Sequence, residues 1–209
     1  MRMLEKKTTD FLEALSSGEP VPGGGGASAA VGACACALGM MVANLTVGKK
    51  RYAEYEEEIK EALKKLEMLR DRLVVLTDAD AEAFEPLSRA YSLPKETEEQ
   101  KAEKGRVLEM ALYEASIVPL QIMETILEAM SYLEILGEKG SRIVLSDVGA
   151  GVLFAEAALE GASLNVFINA KLMKERERAE ELARKAEEMI QQGRELKNVI
   201  YTAVLKEIK

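Results

Sequence analysis

The chain has 209 residues, of which 48% are hydrophobic and 31% charged, enough for one substantial core and ordinary for a soluble globular protein. Its formal net charge of −8 leaves no broad basic surface, which excludes general nucleic-acid binding and leaves only a local patch such as Lys49-Lys50-Arg51. It contains no histidine, which removes Ser–His and Cys–His catalysis, histidine metal sites and the commonest general base, so proton transfer would fall to a carboxylate, Lys, Tyr or Cys.

The N-terminus, MRMLEKKTTDF, has no apolar core segment, so no signal peptide is read there and a cytoplasmic protein is expected. Residues 3 to 17 predict a first helix on Leu4, Phe11, Leu12 and Leu15, closed by Ser16-Ser17-Gly18. Pro20 and Pro22 then stiffen the entry to four consecutive glycines, Gly23 to Gly26. A helix starting after those glycines leaves its first N–H groups unpaired, and these favour an anion or a ligand carbonyl.

From Ala27 to Val47 no residue is charged. Ser28, Gly32 and Cys36 share one helix face and Ala29, Ala33 and Ala37 the next, which predicts a central, buried helix that neighbours approach closely. The run of 21 residues is also the length of a membrane span. Its alanine and glycine content, together with Ser28, Asn44 and Thr46, argues against that reading. Cys34 and Cys36 point to different faces, cannot bridge, and read as small buried residues. There is no Cys/His metal pattern.

Tyr52 to Tyr91 predicts a long helix. Its stripe is Ile59, Leu63, Leu66, Leu69, Leu73, Leu76, Asp80, Phe84, Leu87 and Tyr91, at steps of three or four. Glu56 with Lys60 and Glu61 with Lys65 suit a solvated outer face. Asp80 interrupts the stripe, in a slot that should face the core. A carboxylate there finds a donor or raises its pKa. A structural tie to a neighbouring helix and a catalytic role are equally open for it, whereas Asp78, Glu82 and Glu85 fall on other faces and read as solvated.

Ser92-Leu93-Pro94 ends that helix, and Thr97-Glu98-Glu99 starts another, expected to reach Leu136 with a kink at Pro119. Its methionines read as core filler. Gly137 to Gly140 is a predicted turn, and Ser146 or Asp147 suits the N-cap of the next helix. That helix is rich in Gly and Ala and predicts the packing partner of the central one. Asn165 and Asn169, four apart, favour bonds to backbone carbonyls at a helix crossing over ligand contact. Lys171 to Lys209 predicts a final amphipathic helix. Without linker or repeat, the whole chain, 1–209, is expected to be one all-α domain, an elongated bundle of five or six long helices.

FLEALSSGEPVPGGGGASA, MVANLTVGKKRY, DADAEAF, SDVGAG and GASLNVFIN, in that order, resemble the cyclodeaminase domain of formiminotransferase-cyclodeaminases, across nearly the whole chain from about Phe11 to Ala170. Stand-alone members include formiminotetrahydrofolate cyclodeaminases and methenyltetrahydrofolate cyclohydrolases. The resemblance implies an all-α homodimer with its active site near the subunit contact and a tetrahydrofolate derivative as substrate; no cofactor and no metal are expected. It places the catalytic aspartate at Asp80, the residue that periodicity singles out. The folate contacts expected alongside it are Gly23, Gly24, Gly25, Gly26, Ser28, Asn44, Lys49, Lys50, Tyr52, Asp147, Asn165 and Asn169. Lys49 and Lys50 read equally as favourable charge near a helix C-terminus or as partners of a glutamate tail. Tyr52, Tyr55 and Phe84 are candidates to stack on the pterin. Closing 5-formiminotetrahydrofolate to 5,10-methenyltetrahydrofolate with loss of ammonia is the first expectation. Hydrolysis of the methenyl compound to 10-formyltetrahydrofolate is the alternative, and a non-catalytic helical dimerisation protein is the alternative of another class.

Overall fold

The computed structural model describes residues 2–209, and no strand occurs among them. Six helices follow one another: α1 (Thr8–Leu15), α2 (Gly24–Asn44), α3 (Glu56–Tyr91), α4 (Glu98–Lys139), α5 (Leu145–Leu172) and α6 (Arg176–Ile208). Short 3₁₀ turns occupy Met3–Glu5, Lys50–Tyr55 and Arg142–Val144. Helices α2 to α5 close a four-membered ring in which each packs on the next and α5 returns to α2, while α6 lies across α4 and α5. The all-α bundle expected from the sequence is therefore the fold.

Missing side chains on α2 set how close its neighbours come. A Cβ on Gly32 would lie 2.9 Å from Cγ1 of Ile126 and 3.3 Å from Cδ1 of Leu73. One on Gly39 would meet Leu66 at 2.7 Å and Leu133 at 2.9 Å. On α5, Gly151 faces the Ala35 carbonyl, so the expected pairing of the two small-residue helices holds. Only part of α2 is buried, however. Val31, Cys34, Met41 and Leu45 stay exposed along one stripe, so Cys36 is buried as expected and Cys34 is not. Helices α2 and α4 are both long and apolar enough to cross a membrane, with 56% of each such window buried inside the bundle.

Several boundaries differ from expectation for local reasons. The first helix breaks at Lys6-Lys7 and ends at Leu15. Lys50–Tyr55 forms a 3₁₀ turn, so α3 begins at Glu56 rather than Tyr52. Thr97 caps α4 through a reciprocal box with Gln100, its hydroxyl accepting the Gln100 N–H at 3.2 Å. Helix α4 runs through Gly137 to Lys139, so only Gly140 remains of the predicted turn. Neither Ser146 nor Asp147 caps α5; Val144 takes that position and Asp147 lies in the first turn, where a carboxylate suits the helix dipole. α5 continues past Lys171, and Arg176 starts α6. Of the two predicted ion pairs, Glu56–Lys60 forms at 2.9 Å and Glu61–Lys65 is not made. Asp78 is not simply solvated: it is half-buried and accepts the Met3 N–H at 3.0 Å, pinning the N-terminal turn to α3. Among the methionines, Met123 and Met130 are core filler, while Met110 is 60% exposed.

The short connections make consecutive helices antiparallel. One end of the bundle therefore gathers the start of α2, the end of α3, the start of α4 and the end of α5. The other end is tied by Ser141 N–H to Thr46 Oγ1 (2.9 Å), by Arg142 N–H to the Tyr52 hydroxyl (3.1 Å) and by the Lys139–Glu58 ion pair.

Candidate active site

The first residue to donate a helical bond in α2 is Ala27, to the Gly23 carbonyl at 3.0 Å. No side chain of Gly23 can cap the helix, so the N–H groups of Gly24, Gly25 and Gly26 are left for other partners. The carboxyl of Asp80, brought over from α3, stands against them. Burial pushes its pKa above the usual carboxylate range, and the Gly26 N–H, facing it outside full hydrogen-bond geometry, draws it partly back. The approach depends on Gly25: a Cβ there would fall 2.5 Å from the carboxyl carbon of Asp80. The missing side chain at this position makes room for the aspartate.

The carboxyl opens into a cavity of about 250 Å³. Pro20, Val21, Gly23 and Gly24 form one wall, Phe84 of α3 a second, Ala115 and Pro119 of α4 a third, and Asn165, Ile168 and Asn169 of α5 the fourth. Pro119 shapes this wall electronically. Having no N–H, it leaves the carbonyl four residues earlier, that of Ala115, without its helical donor. Asn169 Nδ2 supplies the missing bond at 3.1 Å. Helix α4 stays continuous through Pro119. The favoured reading of Asn169 from the sequence thus holds for its amide nitrogen, and Oδ1 is what it has left to offer the cavity. Asn165 makes only a long bond to the Gly161 carbonyl, 3.4 Å, and its Nδ2 lies opposite Gly24. A half-buried acid beside free N–H donors, an amide acceptor and apolar walls can move a proton at a planar, partly apolar substrate whose polar edge meets the helix start.

The structure brings together Gly23, Gly24, Gly25, Gly26, Asp80, Phe84, Asn165 and Asn169. Ser28 lies just behind, its hydroxyl turned back to the Gly24 carbonyl at 2.8 Å and packed against Gly161. Asn44, Lys49, Lys50, Tyr52 and Asp147 do not join them. Twenty residues of α2 separate Gly24 from Asn44, about 30 Å at the α-helical rise, and Asp147 stands at the opposite end of α5 from Asn165. Lys49 bonds Ser141 Oγ at 3.3 Å, and Tyr52 accepts the Arg142 N–H, which lowers its phenol pKa. Tyr55 packs beneath Lys139, so Phe84 is the one of the three aromatic candidates at this cavity. Sequence reasoning missed Ala115, Pro119 and Ile168. The signal for the first two was a proline inside a strongly helical pattern, with its orphaned carbonyl one turn earlier.

The family model described as Formiminotransferase-cyclodeaminase matches residues 7–188. The chain is similar to a methenyltetrahydrofolate cyclohydrolase of Methylorubrum extorquens, 42% identical over 95% of both chains. It is also similar to the formimidoyltransferase-cyclodeaminase of Mus musculus, 30% identical over 82% of this chain but only 32% of that much longer protein. Among solved structures it is similar to the formiminotetrahydrofolate cyclodeaminase of Thermotoga maritima, with a TM-score of 0.81, 30% identity, and 98% and 96% of the two chains covered.

Proposed function

Since the chain belongs to the formiminotransferase-cyclodeaminase family, we propose that it makes or breaks the one-carbon bridge between N5 and N10 of tetrahydrofolate, with Asp80 carrying the proton. The observation that carries this reading is the half-buried Asp80 carboxyl facing the bare start of α2 in a chain without histidine. The relative matched at 42% over nearly its full length supports hydrolysis of 5,10-methenyltetrahydrofolate. The Thermotoga maritima structure supports the second reading, closure of 5-formiminotetrahydrofolate with loss of ammonia.

One carboxylate serves either reaction. In hydrolysis, Asp80 accepts a proton from the water that adds to the methenyl carbon. The hydroxyl of the adduct loses its proton as the bond from carbon to N5 breaks and N5 is protonated, leaving the formyl group on N10. In ring closure, N10 loses its proton to Asp80 while attacking the formimino carbon, and the departing nitrogen takes a proton as ammonia leaves. A pKa raised by burial suits a group that must be base and then acid. The helix-start N–H groups hold the polar edge of the pterin, and Phe84 and Ile168 contact its apolar surface.

A second copy of the chain would cover the exposed stripe of α2 together with Leu153, Leu164 and Ile168 of α5, the homodimer expected of the family. Supplying each folate separately, and following methenyl absorbance with ammonia release, assigns the reaction. Turnover of neither, or wild-type turnover by Asp80→Asn, would refute the proposal.

A further inference from the structure

The side-chain amide of Asn169 is fixed end for end by a proline on another helix. Pro119, inside α4, has no N–H to give the Ala115 carbonyl, and Asn169 Nδ2 gives one at 3.1 Å. A carbonyl oxygen can only accept, so the amide cannot turn over without setting its own oxygen against that of Ala115. Asn169 is 9% exposed, yet its Oδ1 accepts no hydrogen bond from the described residues. No buried side-chain nitrogen or oxygen lacks a partner among those residues, so Oδ1 is not sealed in the core. The space it opens to is the Asp80 cavity, whose wall Asn169 helps to form. The proline and its orphaned carbonyl turn an ambivalent amide into a fixed acceptor.

One turn earlier on α5, about 6 Å along its axis, Asn165 has the opposite role. Its Nδ2 gives one hydrogen to the Gly161 carbonyl in a long bond of 3.4 Å, and lies 3.7 Å from where a Cβ on Gly24 would be. The other amide hydrogen is free to join the N–H groups at the bare start of α2. The cavity therefore offers hydrogen-bond donors on its α2 side and a fixed acceptor beside them. A planar group with C=O and N–H on adjacent ring atoms, a lactam edge, meets that pattern. Its amino-substituted counterpart carries a donor where the oxygen was and a bare ring nitrogen where the N–H was, and so meets the pattern reversed at both places.

We infer that Pro119 is a specificity-determining positioning residue: through the Ala115 carbonyl it holds Asn169 Oδ1 as the acceptor for the lactam N–H of the pterin ring, whose oxygen takes the donors at the start of α2. This rests on the folate reading of the Asp80 cavity and adds how the cavity tells one pteridine edge from another. A freely turning Asn169 would offer oxygen or NH₂ with equal ease and would accept either ring. Held in one orientation, it leaves the wrong ring with donor facing donor and acceptor facing acceptor, unpaired away from water. A proline in a helix interior is destabilising by itself, the kind of local violation that a role in the site explains.

The test is calorimetric binding of 5-formyltetrahydrofolate and of its 4-amino-4-deoxy counterpart, which differ only in the lactam, in mildly alkaline buffer where neither ring is protonated. The intact protein should bind the 4-oxo ligand at least about 10²-fold more tightly. In Pro119→Ala, residue 119 regains its N–H and takes back the Ala115 carbonyl, so the preference should fall below about tenfold while Tm holds or rises. Loss of contact with the proline ring falls equally on both ligands and cancels in the ratio. Asn169→Ala should erase the preference too, with a lower Tm. Pro86→Ala is the control. Pro86, inside α3, orphans the Glu82 carbonyl, outside this cavity, so its removal should leave the ratio as in the intact protein. No preference for the 4-oxo ligand in the intact protein, an unchanged ratio in Pro119→Ala, or an equal fall in Pro86→Ala would each overturn the inference, while turnover of a folate by the same samples would leave the proposed reaction standing. Failure of the intact protein to bind either ligand would sink the folate reading and the inference with it.

Discussion

Replacing Gly25 by alanine tests whether the fold is arranged around the position of one carboxyl. A Cβ there would lie 2.5 Å from Cγ of Asp80, where ordinary contact begins near 3.4 Å. The carboxyl must therefore retreat by roughly 1 Å, a misplacement that costs about 10²-fold in rate when the group must meet a reacting atom. Stability should move little. Alanine gains up to about 1 kcal/mol over glycine in a helix, and the clash falls on a side chain with open cavity on its far side, so overpacking stays at or below the low end of its usual 1–3 kcal/mol. The net change should stay within about 1 kcal/mol, or 2–4 °C in Tm for a domain of this size. Gly39→Ala is the control, because its Cβ would strike Leu66 and Leu133 in the closed core and should destabilise with no selective effect on kcat. Steady-state turnover and thermal unfolding measured on both variants decide the matter. A Gly25→Ala protein with kcat within twofold of the parent would refute the reasoning, since the glycine would then serve only the backbone.

Asp80→Asn should reduce turnover by about 10²–10⁴. It should leave Tm unchanged or raised. A carboxyl whose pKa is raised on folding favours the folded state most at low pH, and that advantage is lost as pH climbs from the unfolded value near 3.8 through the folded one; at neutral pH the ionised group is a net cost. A lower Tm for the variant at pH 7 would show Asp80 to be structural instead. Asn169→Ala should cost about 1–3 kcal/mol by stranding the Ala115 carbonyl, and the cost should shrink in a Pro119→Ala background, where residue 119 regains its N–H; denaturant unfolding of the double-mutant cycle reads the coupling. A thiol reagent should leave Cys36 unlabelled in the folded chain, because burial holds its pKa at about 12. Cys34 lies on the stripe that a second copy would cover, so it should react only as far as that face is open, and two fast thiols would contradict the packing of α2.

How much of this was legible in the sequence depended on whether the signal was local. The stripe of α3 named the buried face from Ile59 to Leu87, with Leu63 and Phe84 only partly buried and Tyr91, its last member, 48% exposed at the helix end; the same periodicity picked out Asp80, because a carboxylate at a leucine position violates a simple rule. The helix start at Thr97 and the stop at Ser92 are written in short-range chemistry and come out as expected, the first secured by a box with Gln100. Helix ends governed by tertiary packing did not. Lys171 looks like the start of a charged helix, yet its neighbours Ala170 and Met173 are buried, and that burial carries α5 on to Leu172.

Asn44, Lys49, Lys50, Tyr52 and Asp147 lie away from the Asp80 cavity for a different reason. Nearness in a motif is not nearness in space, because a helix converts twenty residues into about 30 Å. Gly24 and Lys49 bracket one apolar run, but α2 delivers them to opposite ends of the bundle. The residues that meet at Asp80 come instead from the segment before α2, the end of α3, the first half of α4 and the end of α5, four places that share no motif. What joins them is the antiparallel course of the helices, which folds the end of α3, the start of α4 and the end of α5 onto the start of α2. The division of labour follows from that geometry. Small residues along α2 let four helices pack closely enough to close a core, and the chain segments at the start of α2, free of that packing, leave the Asp80 carboxyl a cavity to open into.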